Sequence, residues 1–157
     1  METNIDISKK DLTSITSMLS ATLVDEMMLY IKTQKFHRNV SGESPMDLHR
    51  LFGGQYHQLE EAVDAITERI NKFGSPTPVT MKEFLSDGSL EESSDKSLTS
   101  KKMIEQLLKD HESACVELRK NITKSSGPLR DAGTADFLTG LLEAHETTAW
   151  KLRRYLG

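Results

Sequence analysis

The chain has 157 residues, a formal charge of −4, 28% charged and 6% aromatic side chains, and one cysteine. That length suits a single domain able to bury its core without disulfide support, and Cys115 alone cannot close an internal bridge. No stretch has the apolar length of a signal peptide or membrane span, and the acidic balance argues against a phosphate backbone as partner. A single cytoplasmic domain over 1–157 is the expectation.

Residues 1–8 read as a flexible N-terminal tail. Leu12, Ile15, Leu19, Leu23, Met27 and Ile31 then recur at helical spacing behind the possible caps Ser8 and Asp11, so a first long helix is expected from about residue 9 to 37. Ser41-Gly42 breaks it. Ser44 before Pro45 signals a new start, with a capping hydroxyl ahead of a first-turn proline. The second stripe runs through Leu48, Phe52, Tyr56, Leu59, Val63, Ile66, Ile70 and Phe73 to the stop at Gly74-Ser75-Pro76.

Residues 75–100, rich in Ser, Pro and acidic side chains, read as a crossover with one short helix at Met81 to Leu85. A third long helix carries Ile104, Leu107, Leu108, His111, Cys115, Leu118 and Ile122, and stops at Ser125-Ser126-Gly127-Pro128. A fourth, with Thr134 as its cap, carries Leu138, Leu141, His145, Ala149, Leu152 and Leu156. Four long helices with one long crossover between the second and third define an all-α, ferritin-like four-helix bundle.

One grouping of Asp, Glu and His has an interpretable spacing. Asp64 and Glu68 leave the same face of the second helix, while His37 and His49 bracket the turn before it. Imidazole with carboxylate suits iron, manganese or zinc. Each residue alone has a plainer reading, since an i,i+4 acidic pair is ordinarily a solvated face. His49 and Asp64 stand fifteen positions apart on one helix, about 22 Å at the standard rise. One ion cannot touch both. A shared site therefore needs carboxylates from a second chain running antiparallel about a two-fold axis. The other arrangement for four-helix carboxylate proteins, Glu-x-x-His pairs inside the bundle, is absent from this sequence.

The run from Leu29 to Gly42, LYIKTQKFHRNVSG, resembles the segment that opens Dps-type mini-ferritins. Asp47-Leu48-His49 is similar to that family's second histidine region and Tyr56 to Arg69, YHQLEEAVDAITER, to its carboxylate helix. Thr134 to Thr139, TADFLT, with Ala149-Trp150 resembles its last helix. The resemblance implies a hollow dodecamer that oxidises ferrous iron with peroxide or oxygen, stores the product and limits oxidative damage. By position it places His37 and His49 of one subunit opposite Asp64 and Glu68 of another, as metal-binding and catalytic residues of a ferroxidase site. It also implies a negative three-fold pore lined by Asp131 and Asp136, for which helix capping is the simpler reading.

Two positions depart from the family pattern. Gly53 stands where an Asp is usual, and Arg38 where an aromatic is usual. His57, one turn beyond Gly53, is a candidate substitute ligand. Gly53-Gly54 in mid-helix costs about 1 kcal/mol per glycine relative to Ala, so a packing or functional reason is expected. His111 and His145 lie on apolar stripes and read as hydrogen-bonded core histidines, and Cys115 as a small hydrophobe. Lys9 and Lys10 are offset by Glu2, Asp6 and Asp11, and twelve copies total roughly −48, so weak or absent DNA binding is expected. The alternative function is a non-catalytic structural or nucleoid-associated cage, its site degraded or occupied by zinc as a competitor of iron.

Overall fold

A computed structural model describes residues 4–86 and 88–157, so residues 1–3 of the expected tail lie outside the described residues. The chain forms α1 (Lys9–Asn39), α2 (Pro45–Lys72), α3 (Met81–Ser86), α4 (Ser100–Ser126) and α5 (Ala132–Leu156), with no strand among the described residues. The long helices pair as two hairpins, α1 with α2 and α4 with α5, and the crossover carrying α3 joins them. Among the described residues no helix is long and apolar enough to cross a membrane.

Helix boundaries follow from local chemistry, with two corrections. Ser8 caps α1 by accepting from the Asp11 amide at 3.1 Å, and the neighbouring Ile7 packs on the core. The Ser44 hydroxyl does not cap α2. Ser44 adopts a left-handed conformation (φ 48°), and its carbonyl accepts from the Asp47 and Leu48 amides, both at 3.2 Å. The cap of α5 is Asp131, not Thr134. Asp131 precedes the first helical residue and accepts from the Thr134 amide at 3.0 Å, while the Thr134 hydroxyl donates to its other oxygen. Two side chains of α1 hold the crossover: Asp25 accepts from the Ser89 and Leu90 amides at 2.7 and 3.1 Å, and Lys35 donates to the Ser93 and Asp95 carbonyls.

The core has two apolar clusters. One gathers Ile15, Leu19, Leu23, Ile66, Ile70, Leu118, Leu138 and Leu142, and the other Leu29, Phe36, Leu48, Phe52, Leu59, Leu107 and Leu152. Polar side chains mark the change between them on α1, α4 and α5. His145 Nε2 meets Glu26 Oε1 at 2.6 Å and the two Nδ1 atoms of His145 and His111 lie 2.8 Å apart, all three residues buried. The expected core histidines are thus hydrogen-bonded to each other. A second buried pair, Lys32 with Asp110 at 2.5 Å, ties α1 to α4. Lys32→Met leaves Asp110 an unpaired buried charge, and a loss of about 3 kcal/mol is expected in denaturant titration.

Burial, reinforced by His145, holds the His111 pKa well below its ordinary value. Burial also pulls His145 down, but Glu26 more than offsets it and the net shift is upward. A lowered folded pKa gives stability that is present above the unfolded value of about 6.5 and lost as pH falls below it. The raised His145 has the opposite sign, with its contribution lost as pH rises through the folded value. Chelator-treated protein should therefore lose thermal stability as pH drops below about 6.5, the unfolded histidine value, and His111→Gln should flatten that acid limb.

Candidate metal centre

The end of α1 and the start of α2 are stitched together by two histidines. His37 Nδ1 lies 2.8 Å from the His49 carbonyl oxygen, and His49 Nδ1 lies 2.9 Å from the His37 carbonyl oxygen. A carbonyl only accepts, so each Nδ1 carries a proton, which makes Nε2 the lone-pair nitrogen of the neutral ring. That is the tautomer of a metal-ligating imidazole whose other nitrogen is fixed by the protein. The rings stack with centroids 3.8 Å apart and planes 28° apart, and both residues are half-buried. The Tyr56 ring closes one side, 5.1 Å from His37 and edge-on to it.

Gly53 is explained by His37. A Cβ on Gly53 would lie 3.1 Å from His37 Cε1 and 3.2 Å from its Nδ1, so the imidazole rests directly on the glycine backbone. At Gly54 a Cβ would meet nothing within 4 Å, and no contact in the chain accounts for it. Arg38 is exposed.

Asp64 and Glu68 are exposed on α2, and Glu68 pairs with Lys72 at 3.7 Å. Continuous helix separates them from His49, so one chain does not unite imidazoles and carboxylates. Among the described residues no three His, Cys, Asp or Glu side chains are arranged to hold a metal. His57 is exposed, 3.6 Å from Glu60, and its ring lies 4.2 Å from that of Tyr56. Asp131 is buried by its capping role and lies 3.8 Å from Arg69, whereas Asp136 is exposed. Burial, then the nearby Glu146, raise the Cys115 pKa, which disfavours the reactive thiolate. Sequence reasoning took Tyr56 only as a core aromatic; its place two turns after His49 was the available signal.

The ferritin-like domain family matches residues 16–157. Among curated proteins, an uncharacterized low temperature-induced protein of Nostoc sp. is 35% identical over 153 residues, covering 98% of this chain and 86% of the relative. DNA protection during starvation protein 2 of Bacillus anthracis is 32% identical, covering 90% of this chain and 96% of the relative. Dps from Thermosynechococcus elongatus superposes with a TM-score of 0.90 at 25% identity, covering 94% of this chain and 93% of that one. Fold and family match therefore define a ferritin-like bundle, with a reciprocal histidine pair at the hairpin between its first two helices. Within that class the chain belongs to the Dps-type mini-ferritins.

The two glycines should respond differently to substitution. Gly54→Ala is expected to raise thermal stability by about 1 kcal/mol through helix propensity. Gly53→Ala should forfeit that gain, because His37 must move by a few tenths of an ångström. Thermal unfolding of the two variants side by side checks the contrast.

Proposed function

We propose that the protein is an iron-oxidising and iron-storing cage, with ferrous iron as its substrate and ferroxidase sites shared between subunits. The observation that carries this reading is the reciprocal imidazole pair: His37 and His49 present two neutral nitrogen donors but no carboxylate of their own. Asp64 and Glu68, exposed about 22 and 28 Å along the same helix, supply the missing anionic donors when a second α2 runs antiparallel across a two-fold axis. Membership of the Dps-type family supports a dodecameric shell with such two-fold contacts. Two ferrous ions then give one electron each to a peroxide, whose O–O bond breaks to two hydroxides, or oxygen takes the electrons instead.

Residue roles follow from chemistry. His37 and His49 hold iron without adding charge, Asp64 and Glu68 stabilise the rising charge of ferric iron, and His57 takes part of the role left open at Gly53. Asp136, with Asp131 beside it at the head of α5, belongs to an acidic entry pore. A shell of roughly −48 repels DNA, so we assign protection to iron removal in the cytoplasm rather than to DNA coating. The rival reading is a structural cage whose site is idle or filled by zinc, and it draws on Gly53 and the exposed cation at Arg38.

Subunit mixing tests the shared site. His37→Ala/His49→Ala subunits and Asp64→Asn/Glu68→Gln subunits should each be inactive after anaerobic ferrous loading and peroxide addition. Mixed by unfolding and reassembly, they should recover about one quarter of the wild-type rate, because half the random dimers carry one intact site of two. No recovery defeats the shared site, and an inactive wild type favours the structural cage.

A further inference from the structure

Inside the bundle lies a second group of donors, unrelated to the two-fold reading. Each long helix contributes a polar side chain at most 4% exposed, Glu26 from α1, Gln55 from α2, His111 from α4 and His145 from α5, with Thr148 of α5 beside them. All line a small cavity of about 30 Å³. Within it Glu26 Oε2, His111 Nε2 and both amide atoms of Gln55 are buried with no hydrogen-bond partner. Such orphans cost about 1–3 kcal/mol each, so four around one cavity call for an occupant.

The hydrogen bonds say which occupant fits. His145 holds the far atom of two of these residues: its Nε2 meets Glu26 Oε1 at 2.6 Å, and its Nδ1 meets His111 Nδ1 at 2.8 Å. With protons running from His111 Nδ1–H to His145 Nδ1, and from His145 Nε2–H to Glu26, the chain is satisfied throughout. His111 Nε2 and Glu26 Oε2 are then left as lone-pair donors, joined by the Gln55 carbonyl oxygen. One imidazole, one carboxylate and one amide oxygen, the first two oriented by a shared outer hydrogen-bond partner, form the donor set of a divalent first-row ion.

We infer that this cavity is an intrasubunit site for a single divalent first-row cation, held by Glu26, Gln55 and His111 and supported by His145. The exposed residues Gln58 and Ala144 also line the cavity and mark its approach from the surface between α2 and α5. The arrangement lacks the Glu-x-x-His pairs of di-iron bundles and offers one ion's worth of donors.

The test uses Co²⁺ on chelator-treated, assembled protein, both wild type and a His37→Ala/Asp64→Ala variant that silences the two-fold site. The expected result is one Co²⁺ per chain retained in that variant, with an anomalous peak between Glu26, Gln55 and His111 in Co²⁺-soaked crystals. Gln55→Leu removes two orphan atoms, so it should leave metal-free thermal stability unchanged or raised while weakening this Co²⁺ by about tenfold or more. Should the silenced variant fail to assemble, the anomalous map of wild-type crystals still separates the bundle peak from any two-fold peak. A cavity without anomalous signal at saturating Co²⁺, or retention unaffected by Gln55→Leu, overturns the assignment in favour of a buried water.

Discussion

Because α2 is unbroken from Pro45 to Lys72 and rises about 1.5 Å per residue, the imidazoles beside its first turns and the carboxylates further along it are kept about 22 Å or more apart. No rotamer closes such a gap. In the proposed shared site the same rigidity makes α2 self-complementary, since a rod with imidazoles at one end and carboxylates towards the other matches its antiparallel copy. The hairpin at residues 40–44 matters for the same reason. It brings His37 back over His49, so that backbone carbonyls rather than other side chains orient both rings.

A second constraint comes from the bundle interior. The apolar core is divided where α1, α4 and α5 pass from one cluster to the other, and the division is polar, buried and incompletely satisfied. Filling that layer with leucine would meet the packing requirement with fewer buried orphans. The Lys32–Asp110 pair nearby shows what a completed buried pair looks like in this fold, with one cation facing one anion at 2.5 Å. The Glu26–His145–His111 chain is different, because it ends in acceptor atoms with no partner, Glu26 Oε2 and His111 Nε2.

Much of this was legible in the sequence, for identifiable reasons. Periodicity and the Gly, Ser and Pro stops located all four long helices, and Met81 to Leu85 marked the crossover helix, because those signals act within a few residues. The caps were read less well. Ser44 adopts a left-handed backbone and its hydroxyl makes no cap bond, and Thr134 yields to Asp131 because a carboxylate three residues earlier reaches both its amide and its hydroxyl. His37 and His49 were legible as a pair across one short turn. Glu26 was not, since Asp25-Glu26 reads as a solvated pair until the fold brings His145, 119 positions away, against it. Gln55 carries no charge or metal-ligand signature that spacing could reveal.

Gly53 shows how one position serves geometry and chemistry at once. A carboxylate there would add a metal ligand, but its Cβ would occupy space held by the His37 ring, 3.1 Å from Cε1. The glycine lets the imidazole settle onto the α2 backbone, where Tyr56 and His49 flank it. Restoring an acidic side chain would therefore not simply complete the site. It would also require the His37 ring to give way by a few tenths of an ångström, so the ligand gained at this position is weighed against the close seat of the imidazole on α2.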